Sequence, residues 1–191
     1  MTTPASSVVR YSGFFKSMGV VNVLDYGAGT LRNALYLADL GMNVYAADIP
    51  QQVRVMKGHP DAKRLAGILS AAELKRSRLK VDLVICTYVF NIIVRRCEKE
   101  NYLDNAVANL RQGGFMLVEV NSRQSDVGCA SPLHHYFGCD DKARSYTHLD
   151  MDRFLMPHSF QRVCHYYSSH ALAAVYRLTD DGVLDIKSTV L

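Results

Sequence analysis

The chain has 191 residues, of which 49% are hydrophobic and 21% are charged, and its net charge is +4. This length favours a single domain over 1–191, and the composition excludes a disordered or collagen-like chain. The small positive charge is compatible with an anionic partner but does not indicate one. Five scattered cysteines are an odd number, which favours a reducing, cytoplasmic compartment over a disulfide framework. With no apolar leader and no apolar run that is long enough to cross a bilayer, no membrane segment is expected.

Strand patterns alternate with helix patterns along most of the chain. In chain order we predict a strand over 20–25, a helix over 31–40, a strand over 43–48, a helix over 51–57, a strand over 66–69, a helix over 71–79, a strand over 81–89, a helix over 98–110, a strand over 115–120, a helix over 150–157, and strands over 161–167 and 171–178. The alternation predicts an α/β fold with a doubly wound, mostly parallel, seven-stranded sheet. Only three residues separate the last two strands, so we expect them to form an antiparallel hairpin.

Two segments lie outside this regular alternation. Residues 1–19 are polar at first and then carry Phe14 and Phe15, and we expect an N-terminal arm or lid that closes over a core or a ligand. Residues 121–148 are polar and rich in His, Cys, Gly and Tyr. Because long loops inside compact domains are more often functional than idle, we expect this loop to lie on the substrate side, with disorder as the alternative.

A glycine-containing turn joins the first predicted strand to the first predicted helix. Gly27 permits a sharp turn, Gly29 lets the backbone approach a ligand, and the helix that follows attracts anionic groups. Asp48 ends the second strand, 21 residues beyond Gly27, where a carboxylate can accept both hydroxyls of a ribose. These features predict a nucleoside-binding crevice at the carboxyl edge of the sheet. The alternative is a tight turn with incidental glycines.

The residues around this turn distinguish between nucleosides. Arg32 stands where the dinucleotide fingerprint requires a third glycine, and no Gly-Lys-Ser/Thr of a phosphate loop follows. Asp25 precedes the first glycine by two residues, a position that suits a cationic ammonium group better than a pyrophosphate. The pattern therefore favours S-adenosylmethionine, whose amino-acid half carries such a group.

Three stretches resemble class I S-adenosylmethionine-dependent methyltransferases. VLDYGAGTLRNALYLADLGMNVYAAD resembles their first motif and second strand, and its RNALYLADLG part is similar to the small tellurite-resistance-type branch. VDLVICTYVFNII resembles the fourth strand with its loop, and LRQGGFMLVEV the double-glycine turn and fifth strand. The resemblance covers about 20–178 and implies a Rossmann-like fold. One departure is Leu31, which stands where the family often has a third glycine.

By this resemblance S-adenosylmethionine is the cofactor, and its site is carried over position by position. The methionine part is implied to lie at the glycine turn, the ribose at the end of the second strand, the adenine between the second and third strands, and the sulfonium at the end of the fourth. The residues so implied are, in that order, Asp25, Gly27, Ala28 and Gly29; Asp48; Ile49 with Ser70 or Ala71; and Cys86, Thr87 and Tyr88.

The same resemblance implies that the segment after the fourth strand faces the methyl acceptor. Methyl transfer from a sulfonium mainly requires that the two partners be positioned, and it requires a base only where the acceptor must lose a proton. We predict that Tyr88 stacks on or hydrogen-bonds to the acceptor and that Asn91 orients it; the alternatives are a rim residue and a turn cap. The Asn/Asp-Pro-Pro-Tyr of enzymes that methylate amino groups of DNA bases is missing here. A thiolate role for Cys86 is disfavoured, because a cysteine within a strand usually packs as a small hydrophobe.

Histidines and cysteines concentrate in the 121–148 loop. Cys129, His134, His135 and Cys139 fall within eleven residues, but their spacing matches no compact zinc pattern, so no metal is expected. His134 is the third catalytic candidate, as a base that titrates near neutral pH on the acceptor side. An ordinary surface loop is the alternative.

The sequence thus predicts an S-adenosylmethionine-dependent methyltransferase. A small-molecule acceptor is slightly favoured, because the chain is short and carries no appended recognition domain. A nucleic-acid or nucleotide base methyltransferase stays open, since the basic cluster of Lys75, Arg76, Arg78 and Lys80 offers candidate phosphate contacts. A protein that binds the cofactor and transfers nothing stays open as well.

Overall fold

The structure is a computed structural model, and it describes residues 3–122 and 145–179. Its strands are β1 (Asn22–Tyr26), β2 (Asn43–Asp48), β3 (Gly67–Ser70), β4 (Val81–Thr87), β5 (Leu110–Asn121), β6 (Phe160–Tyr167) and β7 (Ala171–Leu178). Its α-helices are α1 (Ser6–Ser17), α2 (Arg32–Asp39), α3 (Pro50–Lys57), α4 (Ala71–Arg76), α5 (Val89–Ile92), α6 (Arg96–Asn109) and α7 (His148–Leu155). Short 3-10 turns occur at Ala62–Arg64 and Met156–His158.

These strands form one sheet with the order β3-β2-β1-β4-β5-β7-β6. The first five strands pair in parallel, whereas β7 pairs antiparallel with both β5 and β6. The predicted fold class, a doubly wound and mostly parallel sheet with an antiparallel C-terminal hairpin, is confirmed. Because the strand order reverses between β1 and β4, a crevice is expected at the carboxyl ends of these two strands.

Helices cover both faces of the sheet, since its central strands are apolar on both sides. On one face, the core joins the strands to α4, α6 and α7 through Leu74, Leu103 and Leu155. On the other face, it joins them to α1 and α2 through Phe15 and Leu37, and to α3. All seven residues of β4 are buried. In the described part of the chain, both faces of the central strands are therefore covered, which leaves the ends of the strands as the places for a ligand.

Two element ends differ from the predicted ones in ways that shape this edge. β4 ends at Thr87 rather than at 89, because Tyr88 adopts a left-handed backbone (φ 62°) and α5 follows at once. β5 begins at Leu110 rather than at 115 and runs through the double glycine, where Gly113 has φ 69° and the pairing with β4 changes register. The glycines thus accommodate an irregular start of a strand rather than a separate turn.

The N-terminal segment and the remaining ends differ less. Residues predicted only as an arm or lid form α1, whose Phe15 is buried in the core. The other predicted ends lie within three residues of the observed ones. In the part of the chain that the structure describes, no helix is both long enough and apolar enough to span a membrane.

Candidate active site

A cavity of about 1110 Å³ lies at the carboxyl ends of β1, β2 and β4, at the expected crevice. The glycine turn, the end of β2 and the end of β4 form its walls nearest the sheet, and side chains of α4 and α6 extend it along the surface. The cavity is lined by residues that include Tyr26, Gly27, Gly29, Asp48, Ile49, Gln52, Ala71, Lys75, Arg78, Thr87, Tyr88, Val89, Ile92, Ile93, Glu98, Tyr102, Asp104 and Asn105. Of the residues predicted for the cofactor, the cavity lining includes Gly27, Gly29, Asp48, Ile49, Ala71, Thr87 and Tyr88, whereas Asp25, Ala28, Ser70 and Cys86 are not part of it.

The glycine turn needs glycine at Gly27 for both conformation and space. Gly27 has φ 93°, and a Cβ atom there would lie 2.3 Å from a methyl carbon of Val89. Its amide donates to the carbonyl of Ala47 at 2.7 Å, and the amide of Ala28 donates to the same carbonyl at 3.2 Å. Gly29 has φ 52° and open space where its side chain would stand. A ligand can therefore approach the backbone closely at Gly29.

Leu31, the departure from the family pattern, keeps the conformation that glycine favours. Its φ is 64°, and its side chain is fully buried against α2 and the sheet. A left-handed backbone costs about 1–2 kcal/mol for a residue with a side chain. The turn is therefore preserved at a cost in strain, which burial of the leucine side chain offsets.

Asp48 fastens the end of β2 to this turn. Its Oδ2 accepts a hydrogen bond from the Gly29 amide at 2.8 Å, and its Oδ1 accepts one from the Ile49 amide at 2.7 Å. Gln52, in the first turn of α3, adds a hydrogen bond from Nε2 to the Gly29 carbonyl at 2.7 Å. Ile49 is apolar and yet 59% exposed at the cavity rim. An apolar face thus lies beside a carboxylate, as adenine and ribose require.

Asp25 is a fully buried carboxylate at the end of β1. Neither of its oxygens forms a well-aligned hydrogen bond with a residue that the structure describes, although the backbone amide of Ala34 is near enough to act against the rise in its pKa. Burial, with a smaller contribution from the charge of Asp48, raises the pKa of Asp25 to about 7. Its chain neighbours Tyr26 and Gly27 line the cavity. An unpartnered buried carboxylate at this place fits a cationic group such as the ammonium of S-adenosylmethionine.

The end of β4 contributes Thr87 and Tyr88 to the cavity, but Cys86 does not line it in the described part of the chain. Burial raises the pKa of the Cys86 thiol to about 12, which keeps it protonated at neutral pH. Thr87 Oγ1 accepts a hydrogen bond from Asn33 Nδ2 at 3.0 Å. The Tyr88 hydroxyl donates to Glu119 Oε1 at 2.6 Å. Tyr88 is thus the catalytic candidate that the structure places in the cavity.

The other candidates lie elsewhere. Asn91 is buried, and its Oδ1 accepts a hydrogen bond from the Asn121 amide at 3.2 Å, so it joins α5 to the end of β5. Ser70 caps α4, with its Oγ accepting from the Glu73 amide at 3.2 Å, and the adjacent Ala71 lines the cavity instead. His134 lies outside the described residues. Asn91, Ser70 and His134 therefore stay predictions as ligand contacts.

A side wall of tyrosines and an asparagine was not predicted. The rings of Tyr26 and Tyr102 stack with centroids 4.0 Å apart, and the Tyr102 hydroxyl donates to the Tyr26 carbonyl at 2.8 Å. Asn105 Nδ2 donates to the Tyr26 hydroxyl at 3.0 Å. The spacing of Glu98, Tyr102 and Asn105 by three or four positions places them on one face of α6, and this periodicity is a sequence signal for the wall.

Glu119 was not predicted either. Glu119 lies near the carboxyl end of β5, as Asp48 lies at the carboxyl end of β2. An acidic residue near the end of a predicted strand is therefore the sequence signal that indicates it. In the described residues, no group of three or more His, Cys, Asp or Glu side chains is arranged to hold a metal ion. Cys129, His135 and Cys139 of the predicted loop lie outside those residues.

Comparison with known proteins gives the family. A family model described as a methyltransferase domain matches residues 3–179. The 1,6-didemethyltoxoflavin-N1-methyltransferase of Burkholderia thailandensis is 18% identical over 92% of this chain and 79% of that chain, with a TM-score of 0.66. The magnesium protoporphyrin IX methyltransferase of Synechocystis is 14% identical over 91% and 82%, with a TM-score of 0.66. TehB of Haemophilus influenzae is 17% identical over 93% and 63%, with a TM-score of 0.65.

A search of the curated proteins found no match. The structural similarity to these solved structures establishes a common fold, and at such low sequence identities it establishes nothing finer. The family model, in contrast, spans nearly the whole chain. The chain therefore belongs to the methyltransferase-domain family and has the fold of the class I S-adenosylmethionine-dependent methyltransferases.

Proposed function

We propose that this chain transfers a methyl group from S-adenosylmethionine to a small-molecule acceptor at the ends of β4 and β5. The observation that carries the proposal is the cavity in which the glycine turn, Asp48 and Tyr88 meet. When bound, S-adenosylmethionine supplies a methyl group on a positively charged sulfur. After the transfer, that sulfur is part of a neutral thioether, which is a good leaving group. The residues of the chain have to bind, orient and desolvate the two partners.

Four residues account for binding of the cofactor. The carboxylate of Asp48 retains lone pairs beyond its two backbone hydrogen bonds and accepts the ribose hydroxyls. Ile49 packs its exposed apolar side chain against the adenine. Gly29 leaves room for the amino-acid part, and buried Asp25 neutralises its ammonium group. The roles of Ile49, Gly29 and Asp25 use features that are otherwise costly or unexplained: an exposed isoleucine, a positive φ and a fully buried carboxylate.

The size and lining of the cavity favour a small acceptor. Pockets for one small molecule usually measure about 300–1,000 Å³, so a cavity of about 1110 Å³ has room for a cofactor and a small second molecule. Val89, Ile92 and Ile93 give this part of the cavity an apolar lining. The Burkholderia and Synechocystis neighbours are named for small-molecule acceptors, which supports the same class here.

The basic residues in α4 and just after it give little support to a nucleic-acid acceptor. Lys75 and Arg78 line the cavity, but Glu98 and Asp104 of α6 line it too. The Arg78 guanidinium donates to the carbonyls of Lys75 and Ser77 at 3.1 and 2.7 Å. A surface that carries both signs of charge is a poor match for a polyphosphate backbone.

Labelled-methyl transfer tests the proposal. The chain is incubated with methyl-labelled S-adenosylmethionine and separated metabolite, RNA, DNA and protein pools from a cell extract. We expect label in the metabolite pool, and loss of that label in a D48A variant. Label confined to RNA or DNA would favour the base methyltransferase. Calorimetric binding of S-adenosylmethionine without label in any pool would favour a protein that binds the cofactor and transfers nothing.

A further inference from the structure

Glu119 forms two hydrogen bonds with Tyr88, one through the backbone and one through the side chains. The Tyr88 amide donates to the Glu119 carbonyl at 2.6 Å, and the Tyr88 hydroxyl donates to Glu119 Oε1 at 2.6 Å. Glu119 is 1% exposed, whereas Tyr88 lines the cavity. Tyr88 also has φ 62°, which is costly for a bulky residue and is typical of functional sites. Glu119 thus fixes both the backbone and the ring of the cavity residue.

The same carboxylate caps the N-terminus of α1. Its Oε2 accepts hydrogen bonds from the Ser7 amide at 3.1 Å and from the Ser7 hydroxyl. The N-cap residue of α1, Ala5, supplies no side-chain cap, and its amide donates to Asn33 Oδ1 at 2.8 Å. A carboxylate near the positive end of a helix is favourable. Glu119 therefore stabilises α1 beside the end of β5 while its other oxygen binds Tyr88.

The direction of the Tyr88 hydrogen bond determines what Tyr88 offers to a ligand. A phenol has one proton and two lone pairs. Because the proton of Tyr88 is directed to Glu119, the phenol oxygen acts toward any further partner as an acceptor. Burial and the hydrogen bond to Glu119 raise the pKa of Tyr88 well above its ordinary value, so the phenol stays neutral and does not serve as a base.

We infer that Glu119 is a positioning residue, which holds the Tyr88 oxygen as a hydrogen-bond acceptor and thereby selects methyl acceptors whose nucleophilic nitrogen or oxygen carries a hydrogen, namely primary and secondary amines and hydroxyl compounds. The inference rests on the proposed function and names its substrate class. The N–H or O–H of the acceptor donates to Tyr88, and the lone pair of that nitrogen or oxygen attacks the methyl carbon. The new N–C or O–C bond forms as the S–C bond breaks, the electrons of the broken bond return to sulfur, and the surplus proton goes to solvent water.

A double-mutant cycle on Tyr88 and Glu119 tests this role. Y88F removes the hydroxyl, and E119Q leaves one acceptor oxygen where two are needed for Ser7 and Tyr88. For the acceptor purified from the labelled metabolite pool, we expect each single variant to raise KM about tenfold, as for one lost hydrogen bond. The double variant should raise KM no further, because Glu119 acts through Tyr88. Y36F, at a half-buried tyrosine of α2, is the matched control.

Three measurements decide between the outcomes: the atom that is methylated in the product, the affinity of the variants for S-adenosylhomocysteine, and their KM for the acceptor. The product should carry N-methyl or O-methyl groups; S-methyl or C-methyl products would overturn the inference. S-adenosylhomocysteine should bind each variant within about twofold of the wild-type affinity by calorimetry. Additive effects on KM, or a parallel loss of S-adenosylhomocysteine binding, would assign Glu119 a purely structural role through α1.

Two further experiments distinguish failure of this inference from a folding defect in E119Q and from failure of the proposed function. If E119Q does not fold, Y88F decides, since an unchanged KM in Y88F overturns the inference. In folded E119Q, carbon-13 titration of the Tyr88 ring should show its pKa falling toward 10, the ordinary value for tyrosine; an unmoved titration would contradict the coupling. Absence of methyl transfer by the wild-type chain would overturn the proposed function and the inference together, whereas transfer with unaffected variants overturns the inference alone.

Discussion

The Gly29 amide donates a 2.8 Å hydrogen bond to Asp48 Oδ2, and this bond fixes the turn after β1 to the end of β2. Asp48 is therefore both part of the architecture and the expected contact of the ribose. D48A removes both acceptor oxygens, and D48N keeps one. We expect D48A to weaken calorimetric binding of S-adenosylmethionine and S-adenosylhomocysteine at least tenfold, with D48N between D48A and the wild type, as for the loss of two or of one charged hydrogen bond.

The control is D39N. Asp39 is the last residue of α2, at the end away from the glycine turn, and it pairs with Arg64 on the surface. D39N should bind both compounds as the wild type does. Unchanged affinity in D48A would remove the ribose assignment and leave Asp48 as a purely structural residue of the turn.

Asp25 is expected to make the stability of the protein depend on pH. The pKa of Asp25 is raised to about 7 by burial, so between about pH 4 and 7 the folded chain keeps a proton that the unfolded chain loses. The folded state is therefore progressively destabilised as pH rises through this window, by an amount on the order of 4 kcal/mol, and the effect is constant above pH 7. D25N cannot titrate and should lack this decline.

Urea unfolding of the wild type and D25N at several pH values measures this effect. The free energy of unfolding of D25N relative to the wild type should increase from pH 4 to 7 and then level off. A difference that does not change with pH would show that Asp25 titrates at its ordinary pKa.

Binding of a cation beside Asp25 should release its proton. The ammonium group of S-adenosylhomocysteine favours the ionised carboxylate and so lowers its pKa. At pH 6.5, where Asp25 is largely protonated before binding, calorimetry in two buffers of different ionisation enthalpy should detect this release. We expect a fraction of a proton per molecule bound in the wild type and none in D25N. Equal release from both chains would place the ammonium group elsewhere.

Leu31 should reverse the usual order of alanine and glycine substitutions. Both L31A and L31G lose a buried side chain, which costs about 2–5 kcal/mol. L31G also relieves the strain of φ 64°, so we expect it to be more stable than L31A by about 1 kcal/mol. Leu37 is the matched control, because it is also fully buried and lies within α2, the helix that Leu31 precedes.

At Leu37, glycine should be less stable than alanine by about 1 kcal/mol, as in any helix interior. Chemical unfolding of the four variants measures both differences. L31G less stable than L31A would mean that the left-handed backbone at this position stores no strain.

Features that depend on residues close together in the sequence were predictable, whereas contacts between distant residues were not. The turn from Asp25 to Gly29 and the acid at Asp48 form a local pattern, and the strand periodicities on either side are strong, so both were predictable. Ser70 was predicted beside the adenine, although Ser70 and Glu73 have the spacing of a capping box, and that local role is the one the structure shows. The capping box is thus a short-range signal that the sequence carries, and the adenine contact of Ser70 stays a prediction.

The acceptor side was less predictable for a physical reason. The mostly apolar sequence continues from β4 through Thr87 and Tyr88 into α5, and nothing in the residue type of Tyr88 indicates a left-handed backbone. Glu119 binds Ser7, which is 112 residues away, and this contact exists only after α1 packs beside β5. Long-range polar contacts of this kind depend on the assembled fold and carry no periodic signal.

Cys86 provides the last prediction, because a buried cysteine near a reaction site invites a nucleophilic role. Burial raises the pKa of its thiol to about 12, so the reactive thiolate is not available at neutral pH. We expect C86A to retain methyl transfer within about twofold and to lose about 1 kcal/mol of stability, as for a small core truncation. In the folded wild type, an alkylating reagent followed by peptide mapping should modify exposed Cys97 and leave Cys86 unmodified. A hundredfold loss of transfer in C86A with normal S-adenosylhomocysteine binding would instead identify Cys86 as a nucleophile.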